Sequence, residues 1–262
     1  MLGFAEVPVK PATHRLHVIT FGRMNRENDR IKQGALAVAG FASAVSRALA
    51  DPGSPQQLRN KPQIRVIGIK EPGGDEEQAL QSLAADKAGR QLNLMALSYD
   101  ENRVKLFEEL GRANIALMLS WHEGFGLTGW EAVAGEVPLI IGRDTGLHQL
   151  LTETFGESFV NAYVRTIDVR GQISDTANFL PEDERDVCNA IIECTANLEN
   201  ARKAAAKLKR ELKEKWVCTW ENTAKQFLVG LGTQPPVIIT TDIQSLQICI
   251  SEAKAKHHRK IL

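Results

Sequence analysis

Short apolar runs alternate with amphipathic stretches through the first two-thirds of the chain. Strand-like runs fall at 16–21, 64–69, 92–97, 115–119 and 137–141, with a weaker one at 158–160. Between them apolar residues recur at helical spacing over 29–50, 75–88, 101–111, 127–135 and 147–153. Brief β-branched runs predict strands, and longer runs with a 3.6-residue period predict helices. Strands alternating with helices predict an α/β fold, a doubly wound parallel sheet. In such sheets ligands bind beyond the carboxyl ends of the strands. The stretch 51–62 is polar and proline-rich and reads as a long loop.

After Asn178 the pattern becomes helical. Pro181 followed by Glu182, Asp183 and Glu184 reads as a helix start, with proline in the first turn and acids near the positive end of the helix dipole. Helices are expected over 181–198, 199–216 and 219–228, and Trp216 and Trp220, four positions apart, are expected to pack on the core. The tail 232–262 carries a Pro-Pro turn, an apolar run at 237–240 and a further helical stretch.

A chain of 262 residues can bury one good core or two small ones, and 43% hydrophobic with 24% charged residues places it among ordinary soluble globular proteins. The formal net charge is zero, so the whole chain has no electrostatic case for nucleic acid. Residues 202–215 hold seven basic residues against two acidic ones. A solvated helix face accounts for them, while contact with an anionic membrane stays open. The first eleven residues lack a charged start followed by an apolar core, and the longest apolar run, 35–45, is broken by Gly40 and Ser43, so a cytoplasmic protein is expected. Cys188, Cys194, Cys218 and Cys249 show no Cys-x-x-Cys spacing and read as reduced thiols. No His/Cys/Asp cluster has metal-ligand spacing, so no metal is expected.

Candidate chemistry concentrates at 115–138. An apolar strand runs into Ser120-Trp121-His122, then Glu123-Gly124-Phe125-Gly126-Leu127-Thr128, then a helix containing Glu131. Gly124 and Gly126 permit positive φ and close approach of a ligand to the backbone. The first amides of the helix have no internal partner and carry the positive end of its dipole, which suits phosphate near Gly126–Thr128. Glu123 and Glu131 can accept hydrogen bonds from sugar hydroxyls at two ends of one elongated ligand. On spacing alone, a plain helix start with two surface carboxylates explains the stretch equally well. At the first strand end, Gly22-Arg23 is followed by Arg26, Arg30 and Lys32, and the helix beyond is rich in alanine.

These two stretches resemble the signature of retaining GT-B glycosyltransferases of the family 4, or group 1, type. The resemblance rests on Glu123, Gly124, Phe125, Gly126, Leu127, Glu131, Ala132, Ala134 and Pro138, and on the Gly22-Arg23 strand end. It covers residues 16–227 and matches the C-terminal, Rossmann-like, donor-binding domain with its closing helices. It implies an extension at 1–15, a nucleotide-sugar-binding domain at 16–231, and a tail of unassigned role at 232–262. Arg23 and Lys32 would stabilise the departing nucleoside diphosphate in place of a metal, with Arg26 or Arg30 as substitutes for Lys32. Glu123 would hold hydroxyls of the transferred sugar, the amides of Phe125–Thr128 phosphate or sugar oxygens, and Glu131 the ribose, with Gly22 beside the diphosphate. His122 would shape the loop. A nucleotide-sugar is thus the implied ligand, with no separate cofactor, and a second chain would supply the acceptor domain.

Two departures stand out. Where the family has glycine two positions before Pro138 this chain has Glu136, with Gly135 one residue earlier, and the family's Gly-Gly-x-x-Glu appears as Thr145-Gly146-Leu147-His148-Gln149. Three functions therefore remain: glycosyl transfer with the acceptor part in a second chain, a binding or sensing module without catalysis, and an interaction scaffold with a vestigial site.

Overall fold

A computed structural model of the chain describes residues 15–22, 29–99, 103–170, 179–216 and 229. The chain divides into two compact units, Phe4–Lys215 and Met1–Gly3 with Trp216–Leu262, and the elements below build the first. They run β1 (His17–Phe21), α1 (Asp29–Lys32), α2 (Gly34–Ala50), α3 (Gln56–Arg59), β2 (Gln63–Ile69), α4 (Asp75–Ala88), β3 (Asn93–Ser98), α5 (Arg103–Arg112), β4 (Ile115–Met118), α6 (Leu127–Ala134), β5 (Leu139–Gly142), α7 (Gly146–Phe155), α8 (Glu157–Tyr163), β6 (Arg165–Ile167), α9 (Pro181–Ala196) and α10 (Leu198–Trp216).

All six strands lie parallel in one sheet of order β3-β2-β1-β4-β5-β6. Val18 stands in register with Ile64 on one side and Ile115 on the other. The order reverses between β1 and β4, which is where a doubly wound sheet opens a crevice for ligand. β4 and β5 are buried at every position, as parallel strands covered on both faces are.

The main core sits under α2 and α9. Phe41 is fully buried there with Leu36, Val45, Val18, Ile115, Val187 and Ile191. Burying a phenylalanine of this kind contributes up to about 3 kcal/mol. Small residues on α2 let α9 come close: a Cβ on Gly40 would lie 2.4 Å from Val187 Cγ1. The start of α9 is fixed to the strand layer by charge. Asp183, fully buried, accepts from the Arg170 backbone amide at 3.2 Å and from Arg170 Nη1 at 2.7 Å, while Arg170 Nη2 donates to Asp186 at 3.0 Å. An unpartnered carboxylate at that depth would be costly, so the arginine sets where the helix begins.

Three elements differ from the sequence expectation. The segment at 158–160 is part of helix α8 and not a strand. Phe155, Phe159 and Tyr163 recur every four residues; the first two rings stack at 4.5 Å between centroids, and the Phe159 and Tyr163 rings pack tilted at 4.4 Å. The sixth strand is the next segment, Arg165–Ile167, in which only Ile167 is buried. The expected single helix 29–50 is broken at Gln33, whose φ of 57° turns the chain between α1 and α2. Within the polar loop 51–62, Leu58 is fully buried and α3 forms around it.

Several basic residues of α10 have partners in the fold. Lys209 donates to Glu136 at 2.9 Å, Lys203 to Glu199 at 2.7 Å, and Lys207 lies 5.3 Å from the Tyr163 ring centroid. Cys188 and Cys194 are free and buried, and burial pushes the Cys194 thiol up to about 12. No helix among the described residues is long and apolar enough to cross a membrane. Residues 1–14, Arg23, Arg26, Glu101, the expected helix 219–228 with Cys218 and Trp220, and the tail with Cys249 lie outside the described residues.

Candidate functional site

A cleft of about 970 Å³ opens at the carboxyl ends of the strands, at the reversal of strand order. Phe21, Gly22, Ile67 and Leu97 line it from the strand ends. Ile31 and Lys32 come from α1, Ser98 and Tyr99 from the end of β3 and just beyond, and Lys105 and Leu106 from α5. Glu123 and Phe125–Thr128, from the glycine bend and the start of α6, close the remaining side.

The glycine bend is held from the adjacent strand end. Glu123 forms a β-bridge with Thr145, its amide donates to Asp144 O at 3.3 Å, and the amides of Gly146 and Leu147 donate to Glu123 O at 3.0 Å and Phe125 O at 2.6 Å. The contact is so close that a Cβ on Gly146 would stand 2.0 Å from Gly124 O. Gly126 caps α6 with φ 99°, seated over Met118, whose Cε would lie 2.6 Å from an added Cβ. Trp130 makes the first intrahelical bond, back to Gly126 O at 3.1 Å. The amides of Leu127, Thr128 and Gly129 precede it, and Leu127 and Thr128 line the cleft. The arrangement can take an anion at the helix start.

Two of the sequence-predicted charged groups meet here. Lys32 Nζ pairs with Glu123 Oε2, and Ser120 Oγ donates to the same oxygen at 3.3 Å. The aliphatic stem of Lys32 lies along Gly22, where an added Cβ would approach its Cδ to 3.1 Å. Lys32, the last residue of α1, thus stands beside Gly22 at the end of β1, and the left-handed Gln33 follows it. Gly22, Lys32, Glu123, Phe125, Gly126, Leu127 and Thr128 thus share one cleft. Gly124 lines a second hollow beside it. Glu131 is buried within α6, 6% exposed, and does not line the cleft. Arg23 lies outside the described residues, as does Arg26, and nothing of the Arg30 side chain is described.

Ser120 and Tyr99 were not singled out by sequence. Ser120 sits in an ordinary strand end, and only its tertiary contact with Glu123 distinguishes it. Tyr99, 69% exposed, lines the cleft, but a lone tyrosine after a strand has no signature in sequence.

The family model for family 4 glycosyltransferases in conflict systems matches residues 2–227. The chain belongs to that family. No curated protein matches it. Among solved structures, WaaG, a glycosyltransferase of lipopolysaccharide biosynthesis, is 13% identical with a TM-score of 0.56 over 83% of this chain and 48% of its own. A TarM variant of S. aureus, crystallised with fondaparinux, α-GlcNAc-glycerol and UDP, is 16% identical with a TM-score of 0.57 over 86% of this chain and 38% of its own. The C-terminal domain of the group 1 glycosyl transferase LpcC from Francisella tularensis is 14% identical, TM-score 0.52, over 77% of this chain and 86% of that domain. These likenesses support the GT-B fold, and the chain spans about half the length of WaaG.

In this family member the departure before Pro138 has a clear structural answer. Glu136 adopts φ 57°, the left-handed conformation usually left to glycine. Its amide donates to Val133 O at 3.1 Å and the Val137 amide to Ala132 O at 3.0 Å, the paired bonds of a Schellman cap. Gly135, at φ −81°, takes an ordinary conformation. The second departure is also resolved: Thr145 caps α7, accepting from the His148 amide at 3.3 Å, and Gln149 donates to Glu153 at 2.8 Å.

Proposed function

We propose that the cleft binds a nucleotide-sugar. The observation that carries this reading is the convergence of Lys32, from α1, and Glu123, from the bend after β4, beside the N-terminus of α6. The cation and the open helix amides suit a diphosphate, with Arg23 as a second cation, so no metal is needed in this reading. Glu123, flanked by Ser120, suits sugar hydroxyls. Tyr99 offers a stacking face for a base. Glu131, buried in α6, acts on the ribose only after a rearrangement of that turn.

Given an acceptor bound by a second chain, the reaction is retaining hexosyl transfer, with Lys32 and Arg23 stabilising the leaving diphosphate. A cytoplasmic setting suits a donor of this kind. A second reading, a nucleotide-sugar sensor without turnover, is favoured by the Lys32–Glu123 pair itself, because each group now satisfies the other. The chain's span of about half of WaaG fits both readings.

Calorimetry of the full chain against nucleoside diphosphates and nucleotide-sugars tests the proposal. Binding that weakens in Lys32→Met and Arg23→Ala supports it. No binding at millimolar ligand sinks both readings and leaves an interaction scaffold. Release of free sugar from a bound donor separates the transferase from the sensor.

A further inference from the structure

The first turn of α7 lines no part of the cleft, yet it bonds to two of the segments that do. The first amides of a helix have no internal partner and are taken by side chains, water or ligands. In α7 the first two go to the glycine bend. The Gly146 amide donates to Glu123 O at 3.0 Å and the Leu147 amide to Phe125 O at 2.6 Å. The Leu147 side chain is fully buried and reaches the start of α6, where a Cβ on Gly129 would lie 2.8 Å from its Cδ2. One helical turn thus braces Glu123 and also the turn of α6 whose amides open on the cleft.

A single hydroxyl ties that turn to the sheet. Thr145 is buried, and its Oγ1 accepts from the third amide of the helix, that of His148, at 3.3 Å. The same hydroxyl donates to Gly142 O, at the end of β5, at 2.9 Å. It is used in both directions, and it joins helix to strand. The Thr145 backbone meanwhile forms the bridge to Glu123. A glycine at 145 could form that bridge, because it uses only main-chain atoms, but it could make neither hydroxyl bond. The departure from glycine at this position therefore adds two buried hydrogen bonds in support of the bend.

We propose that Thr145 is a positioning residue for the cleft. Its hydroxyl holds the first turn of α7 against β5, and that turn holds Glu123 and the α6 amides in the arrangement that receives the ligand. Thr145 itself lines no part of the cleft and acts through the bend. The proposal rests on the reading of the cleft as a nucleotide-sugar site, and its test separates the two.

The test uses the full chain with Thr145→Val, which keeps the branched shape and removes the hydroxyl, and Thr145→Ser, which keeps the hydroxyl. Gly40→Ala, a change in the α2–α9 contact outside the cleft, serves as the control for lost stability alone. Amide hydrogen exchange is followed at 123–128 and 146–148, and calorimetry measures a nucleoside diphosphate and its nucleotide-sugar well below the melting temperature. Loss of a helix cap predicts roughly fivefold faster exchange in both segments, and roughly fivefold weaker binding, in Thr145→Val. Thr145→Ser should restore both, and Gly40→Ala should bind as wild type does. Unchanged exchange at 123–128 in Thr145→Val overturns the proposal. So does faster exchange with unchanged affinity, or an equal loss of affinity in Gly40→Ala. If wild type binds neither ligand, the reading of the cleft fails, while faster exchange in Thr145→Val that Thr145→Ser restores still upholds the positioning. If Thr145→Val does not fold, wild type decides. The amides of Glu123, Gly146, Leu147 and His148, bonded across one contact, should then open together, with matching protection, and a Glu123 amide that opens independently of His148 overturns the proposal.

Discussion

Lys32 and Glu123, 91 residues apart in sequence, form an ion pair across the mouth of the cleft. Any diphosphate drawn to the Lys32 ammonium competes with the Glu123 carboxylate. Removing the two partners should therefore have opposite effects. Lys32→Met should weaken nucleoside diphosphate binding by about 1.5–3 kcal/mol, the range for a hydrogen bond to a charged group. Glu123→Gln should leave that binding unchanged or tighten it a few-fold, while weakening a nucleotide-sugar. Both side chains are partly exposed, 27% and 21%, so solvent screens the pair and either variant should cost under about 1 kcal/mol of stability. Calorimetry with the two ligand classes and a urea melt check all three expectations.

How much of this was legible in sequence depends on where each signal resides. β4 and β5 are buried on both faces, so they read as uninterrupted apolar runs. The three residues of β6, Arg-Thr-Ile, expose one position and half-bury another, and no such run exists. Phe159 and Val160 drew the strand reading one element too early, because the ring contacts of Phe159 reach to Phe155 and Tyr163, four residues away on either side. The glycine bend was visible because Gly126, at φ 99°, is a local requirement of the backbone. Lys32 was reachable through the family pattern, but its pairing with Glu123 is a contact between segments 91 residues apart, which no local signal announces. Ser120 matters only through its contact with Glu123, so its residue type alone says nothing.

Glu136 accepts backbone strain in exchange for its bond to Lys209. A non-glycine residue in the left-handed region costs about 1–2 kcal/mol, and the Lys209 ammonium at 2.9 Å offsets part of it. Glu136→Ala keeps the strain and loses the pair, so it should destabilise. Glu136→Gly also loses the pair but relieves the strain, and should be more stable than Glu136→Ala by about 1 kcal/mol. Chemical denaturation of the two variants gives the difference directly. Equal stabilities would mean that the cap is not strained.

Gly40 lets α2 and α9 approach until Val187 would lie 2.4 Å from an added Cβ. Gly40→Ala has the better helix propensity, by about 1 kcal/mol, yet the clash should outweigh it and destabilise by about 1–3 kcal/mol. Val187 Cγ1 is the offending atom, so Val187→Ala in the same chain should recover part of the loss even though it empties core volume by itself. Urea melts of the two single variants and the double variant measure that coupling. Strictly additive effects would place the strain elsewhere.

His17 and His148 should make the fold acid-sensitive. At His17, burial first and then Arg65 lower the imidazole pKa, and at His148 burial first and then Arg143 do so. When the folded pKa lies below the unfolded value of 6.5, the unfolded chain binds the proton first. Stability from these groups is therefore fully present above pH 6.5 and is lost as pH falls below it. The loss per histidine is bounded by about 1.4 kcal/mol per pH unit, and solvent reduces it at half-buried His17. The melting temperature should fall between pH 7 and pH 5, and a His17→Gln, His148→Gln double variant should show a shallower fall over the same interval. Parallel curves for the two proteins would rule out both histidines as the source of the acid sensitivity.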